Sequence, residues 1–261
     1  MTLYSTIILE KHGAATHIIL NRPEVYNAFN QQCLSELLDA FDSISKDVGC
    51  RVVVVRSSSP KAFSAGADLH ELASYGPRDA ETCNRMWLAF FDAIEHLPKP
   101  VIAEVHGWAP GGGTELSLCC DFVICSSSAK FALAEIKLGV IPGAGAAVRI
   151  TRWVGRLKAK EILMLGDTIT GKEAVAIGLA NRCVEATELR AAVDQLVERL
   201  VASAPRALAA AKMVVNFASE APAPIAIESA LKEFMLLFAT KDQKEGMIAF
   251  LEKREPNFTG D

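Results

Sequence analysis

Residues 107–121 read GWAPGGGTELSLCCD, and the fold turns on how this stretch is parsed. Three glycines run straight into Glu115, and an apolar stretch follows. Glycine is the poorest helix former after proline, so a helix that opens on three of them needs a reason. The first N–H groups of a helix have no intrahelical partner, and the helix dipole favours negative charge beside them. Glycine also lets a ligand approach the backbone closely. The backbone is then the working group, and Glu115, about one turn beyond Gly112, reaches what is bound there.

Working outward, the stretch is delivered by KPVIAEVHG (99–107), which reads as a buried strand, and is followed by CDFVICSS (120–127), another. Upstream, STIILEKHGAATHIILNRP (5–23) alternates apolar residues around His12-Gly13 and predicts a hairpin. NQQCLSELLDAFDSISKD (30–47) has a helical period with Asn30 as its cap, and CRVVVVRSS (50–58) is a β-branched buried strand. The periodicity predicts a helix near 79–96 with Trp87, Phe90, Phe91 and Ile94 on one side. Strands alternating with helices predict an α/β fold. From about residue 156 the signal is almost wholly helical. Thr170 and Glu173 form a capping box, and EAPAP (220–224) breaks the last helices apart. Trp87 and Trp108 are both placed in the core.

A second loop has the same logic as the quoted one. Ala65-Gly66-Ala67-Asp68 follows a buried strand and leads towards the short helical stretch LHELA. Two such loops facing each other make an oxyanion hole, with one N–H from each. Glu135, in KFALAEIKLGVIPGAG (130–145), is a second acid before a Gly/Pro-rich turn. Paired carboxylates in different environments divide the work of base and acid.

Other chemistries fit less well. Gly166–Glu173 nearly matches a phosphate loop, but Glu173 replaces the Ser/Thr that would bind Mg²⁺. No G-x-S-x-G and no H-E-x-x-H occurs, and the five His are dispersed, so neither a hydrolase elbow nor a metal site is expected. A net charge of −4 with no basic run argues against nucleic-acid and membrane-surface partners. Seven Cys without a C-x-x-C suit reduced thiols, and the expected location is cytoplasmic.

Ala62 to Leu69, His106-Gly107 through Gly113 to Glu115, and Phe131 to Gly145 with Glu135 resemble the crotonase (enoyl-CoA hydratase/isomerase) family. Asn21-Arg22-Pro23 with Asn27-Ala28 resembles its N-terminal motif, and Phe250 to Arg254 with Asn257-Phe258 its tail. The match runs in order over nearly the whole chain. The resemblance implies a spiral of ββα units (1–199) followed by a helical trimerisation region (200–261), assembled as a trimer or a dimer of trimers. It implies an acyl-CoA thioester as substrate, and no metal or other cofactor. By motif position, Ala67 and Gly112 supply the oxyanion N–H groups, and Glu115 and Glu135 are the two acids that hold the water added across C2=C3. Ala65, Ala67, Asp68, Leu69 and His70 run along CoA, although His70 stands where many hydratases carry Lys. Phe250 and Lys253 match positions that reach CoA from a neighbouring subunit. Alternatives are another reaction of the family, such as isomerisation or hydration of a specialised or cyclic enoyl-CoA, or a non-catalytic binding role.

Overall fold

A computed structural model describes residues 4–261. Its hairpin, β1 (Ile7–His12) and β2 (Ala15–Leu20), turns at Gly13 and is antiparallel. Helix α1 (Gln31–Lys46) follows, and Asn30 caps it by accepting the Cys33 N–H at 2.9 Å. Its buried residues Cys33, Leu34, Leu37, Ala40, Phe41 and Ile44 form one stripe at helical spacing. Strand β3 (Val52–Ser57), the single turn α2 (Leu69–Leu72) and helix α3 (Pro77–Glu95) come next. Then β4 (Val101–Val105) and β5 (Trp108–Pro110) lead into α4 (Gly112–Cys119). Strands β6 (Phe122–Ser126) and β7 (Lys130–Ala132) lead into α5 (Ala146–Leu165).

The longer strands join β9 (Arg182–Val184) in a six-stranded sheet of order β1-β2-β3-β4-β6-β9, parallel from β2 onward. The short strands β5 and β7 pair with β8 (Ile169–Thr170) in a second sheet of three. This is the expected succession of ββα units. The period of two divides the parallel strands between two cores. Val53, Val55, Val101, Ala103 and Val123 face the main core with α1 and α3, while Val52, Val54, Ile102 and Ile124 face Leu189, Val193 and Leu200 of α7 (Leu189–Val201).

Between β8 and β9, α6 (Gly171–Ala176) starts at the predicted capping box, in which Glu173 Oε2 accepts the Thr170 N–H at 2.8 Å. The remaining helices are α8 (Pro205–Ala218), α9 (Ala223–Leu237) and α10 (Lys241–Glu252), with the α8–α9 break at EAPAP. Residue 199 lies inside α7, which packs on the sheet. Lys212 of α8 ties the helical region to the core: its Nζ donates to Asp121 Oδ2 and the Ile94 carbonyl, both at 2.8 Å. Ile227, Leu231, Phe234, Met235 and Phe238 of the α9 region remain exposed in the single chain.

The structure departs from the sequence reading in several places, and the short strands β8 and β9 fall in the region read as almost wholly helical. Helical structure begins at Ala146, ten residues before 156, and is broken at Gly155 (φ 78°, ψ 162°). The break interrupts the apolar period and hides the first half. Trp108 is 46% exposed rather than in the core, with Lys130 Nζ 4.6 Å from its ring centroid. It begins a three-residue strand whose alternate residue, Ala109, takes the buried side. Among the described residues no helix is long and apolar enough to cross a membrane. All seven Cys are free, and six are buried.

Candidate active site

The loop after β3 is shaped by the segment 22–29. The Ala65 N–H donates to the Tyr26 carbonyl at 2.8 Å. The Phe29 N–H donates to the Gly66 carbonyl at 2.8 Å, and the Asp68 N–H donates to the Phe29 carbonyl at 2.9 Å. These two bonds flank Ala67, whose own N–H has no acceptor among the described residues. Asp68 caps α2 through the His70 N–H at 3.1 Å and pairs with Arg22 at 3.2 Å.

The quoted stretch forms the opposite wall. Gly111 precedes α4 in a positive-φ conformation (φ 52°), and its N–H donates to the Ala132 carbonyl at 2.8 Å. Thr114 Oγ1 donates to the Ala109 carbonyl and accepts the Ala132 N–H, tying α4 to both short strands. Gly112 opens the helix, and its N–H likewise has no protein acceptor among the described residues. The two loops touch. A Cβ on Gly66 would lie 2.8 Å from the Pro110 carbonyl oxygen and 3.0 Å from the Gly112 nitrogen. A Cβ on Gly112 would lie 2.5 Å from the Trp87 ring, so α3 closes the space behind it. The glycines are therefore required by packing as well as by backbone exposure.

Two acids complete the arrangement. Glu115, in the first turn of α4, is 6% exposed. Glu135 begins a 3₁₀ turn (Glu135–Leu138) after β7, and its Oε1 lies 3.0 Å from where a Gly111 Cβ would stand. Glu115 Oε1 and Glu135 Oε2 are both buried without a hydrogen-bond partner. Such atoms cost free energy unless something binds them. Burial, reinforced by the Glu135 charge, pushes the Glu115 carboxyl up to about 7, against the Ala146 and Ala144 N–H groups and Arg149. Burial also raises Glu135. Arg149 is a fixed cation behind Glu115. Glu95 holds its guanidinium in a two-pronged pair at 2.8 and 2.6 Å, and its Nη1 donates to the Ala144 carbonyl at 2.7 Å.

The fold thus brings Ala67, Gly112, Glu115 and Glu135 together from three separate segments, with Gly112 and Glu115 both on the first turn of α4. Ala65, Leu69 and His70 are exposed along the rim of the first loop, and Ala67 and Asp68 are half-buried. Phe250 (82% exposed) and Lys253 lie on and just after α10. No hydrogen bond or ion pair among the described residues joins α10 to either glycine loop. The sequence reading missed Arg149 and Glu95, since an ion pair 54 residues apart leaves no local signal. Its core placement of Trp87 holds, but the contact of that ring with Gly112 exists only in the fold.

A family model described as "Enoyl-CoA hydratase/isomerase" matches residues 10–261. The chain is 39% identical over 255 residues to a crotonyl-CoA hydratase from Syntrophomonas wolfei, covering 98% of each protein. It is 35% identical over 251 residues to a short-chain-enoyl-CoA hydratase from Clostridium acetobutylicum, covering 96% of each. A crystal structure of an enoyl-CoA hydratase from Bacillus anthracis superposes with a TM-score of 0.95 at 33% identity, over 98% of this chain and 100% of that one. With the crotonase-like succession of ββα units and near-complete coverage in both sequence and structure, this chain belongs to the enoyl-CoA hydratase/isomerase family.

Proposed function

We propose that the protein is an enoyl-CoA hydratase, adding water reversibly across the C2=C3 bond of an acyl-CoA thioester. The observation that carries this reading is the pair of partnerless buried carboxylate oxygens, on Glu115 and Glu135, beside two partnerless backbone N–H groups. The N–H groups of Ala67 and Gly112 receive the thioester oxygen. They strengthen their bonds as C3 is attacked and negative charge moves onto that oxygen. Glu115 accepts a proton from the water whose oxygen bonds to C3. Glu135 delivers the proton that C2 takes up as the enolate collapses. A base with a pKa near 7 matches neutral operation. The proton taken by Glu115 and the one given by Glu135 are re-equilibrated with solvent, so water and the enoyl thioester become the 3-hydroxyacyl thioester with no net change in the protein.

CoA supplies binding free energy remote from the reacting carbons. In this reading it runs along Ala65, Ala67, Asp68, Leu69 and His70. Phe250 and Lys253 reach it from a neighbouring subunit. The exposed apolar face of the α9 region supports assembly as a trimer or dimer of trimers through residues 200–261, beside a core of 1–199. The chemistry requires no metal or other cofactor, and the protein works in the cytoplasm.

The experiment is a screen of purified protein against straight-chain, branched and cyclic enoyl-CoAs, following loss of the conjugated thioester absorbance, with and without exhaustive chelation. Hydration of at least one class, unchanged by chelation, is expected. Isomerisation without hydration would overturn the assignment.

A further inference from the structure

Ala67 can serve as a donor only if its N–H points into the site, and glycine at position 66 makes that direction easy to lose. Gly66 has φ +85°, and with no Cβ its backbone is otherwise free to turn. Two bonds remove the freedom. The Gly66 carbonyl is held by the Phe29 N–H at 2.8 Å. Because the peptide unit is planar and trans, this anchor aims the Ala67 N–H the opposite way, out of the loop. The other bond comes from Ser64. Its side chain is completely buried, its Oγ accepts the Gly66 N–H at 3.1 Å, and its O–H donates to the Asn27 carbonyl at 2.8 Å.

Asn27 is itself immobilised. It is buried with φ 56°, its Oδ1 accepts the Arg22 N–H at 2.7 Å, and its Nδ2 donates to Ser57 Oγ at 2.6 Å and to the Phe63 carbonyl at 3.2 Å. Ser64 also touches the second loop, since a Cβ on Gly113 would lie 2.7 Å from the Ser64 carbonyl oxygen. We propose that Ser64 is a positioning residue for the reaction: its buried hydroxyl, bridging Asn27 and Gly66, fixes the direction of the Ala67 N–H against the thioester oxygen. This inference rests on the oxyanion role given to Ala67 above.

The test compares Ser64→Ala with Ser126→Ala. Ser126, at the end of β6, is equally buried, and its Oγ bonds Ser128 Oγ at 2.8 Å, with no bond to Asn27 or Gly66. Hydration kinetics are measured together with the carbonyl stretch of a bound, non-hydrating acyl-CoA by Raman difference spectroscopy. Ser64→Ala is expected to lower kcat about tenfold or more with little change in KM, because a small misdirection costs most in the transition state. The bound carbonyl stretch should move back towards its value in water. Ser126→Ala should lose thermal stability and keep both readouts. Ser64→Cys, which retains a weak donor and acceptor, should fall between parent and Ser64→Ala, and it replaces the alanine variant if that one fails to fold. Equal kcat and an unshifted carbonyl in the Ser64 variants would overturn the proposal. If the parent polarises the bound carbonyl but does not hydrate, the hydratase reading fails while the spectroscopic comparison still decides this one. A parent that binds no thioester overturns both.

Discussion

Gly66→Ala puts the meeting of the two loops to its most direct test. At φ +85° an added Cβ carries left-handed strain of about 1–2 kcal/mol. It would also stand 2.8 Å from the Pro110 carbonyl oxygen and 3.0 Å from the Gly112 nitrogen, both backbone atoms that cannot swing aside. Ordinary contact begins near 3.4 Å, so the loops must part by roughly 0.4–0.6 Å. Misplacement by 1 Å can cost about 10²-fold in rate, and loss of one oxyanion donor about 10²–10³-fold. A fall in kcat of about 10–10³ with a smaller change in KM is therefore expected, measured as hydration of a short-chain enoyl-CoA. Gly13→Ala is the control. It has φ +60° at the β1–β2 turn but nothing within 4 Å of its Cβ, so it should show the strain in its melting temperature and none of the rate loss. If Gly66→Ala folds and hydrates within about threefold of the parent, the apposed N–H groups do not make the catalytic site.

Glu115→Gln should lose about 10²–10⁴ in hydration rate. Because the folded carboxyl is raised from 4.5 to about 7, the folded state binds its proton more tightly, and stability from this group is lost as pH rises from about 4.5 to 7. The Gln variant should consequently be more stable than the parent above pH 7, by about 1–3 kcal/mol in chemical denaturation, and a destabilised variant would contradict that sign. The kcat profile of the parent should fall on the acid side with a midpoint near 7, where Glu115 becomes protonated. Asp121→Ala should cost about 3–5 kcal/mol of stability, because it strands the buried Lys212 ammonium; a loss under about 1 kcal/mol would mean that Lys212 finds water or another partner. Sedimentation of the native protein should give a trimer or hexamer, and a monomer at micromolar concentration would rule out the cross-subunit role of Phe250 and Lys253.

The local chemistry of this chain was written in short stretches. Asn30 as a cap, the Thr170–Glu173 box, the EAPAP break and the valines of β3 each depend on neighbours within a few residues, so their reading needed no tertiary information. The same holds for Gly111 to Glu115, where glycine and acid lie one turn apart. The ends of α5 were hidden because Gly155 breaks the period, and β5, β7, β8 and β9 are too short for alternation to declare them. Whether the two loops face each other was beyond local reading, since Gly66 and Gly112 meet only after β3 and β4 pair in register and α3 lays Trp87 behind them. The pKa of Glu115 likewise belongs to no stretch of sequence. It is set by burial in α4, by Glu135 from the β7 turn and by Arg149 held to Glu95, and desolvation and charge proximity are properties of the packed interior alone.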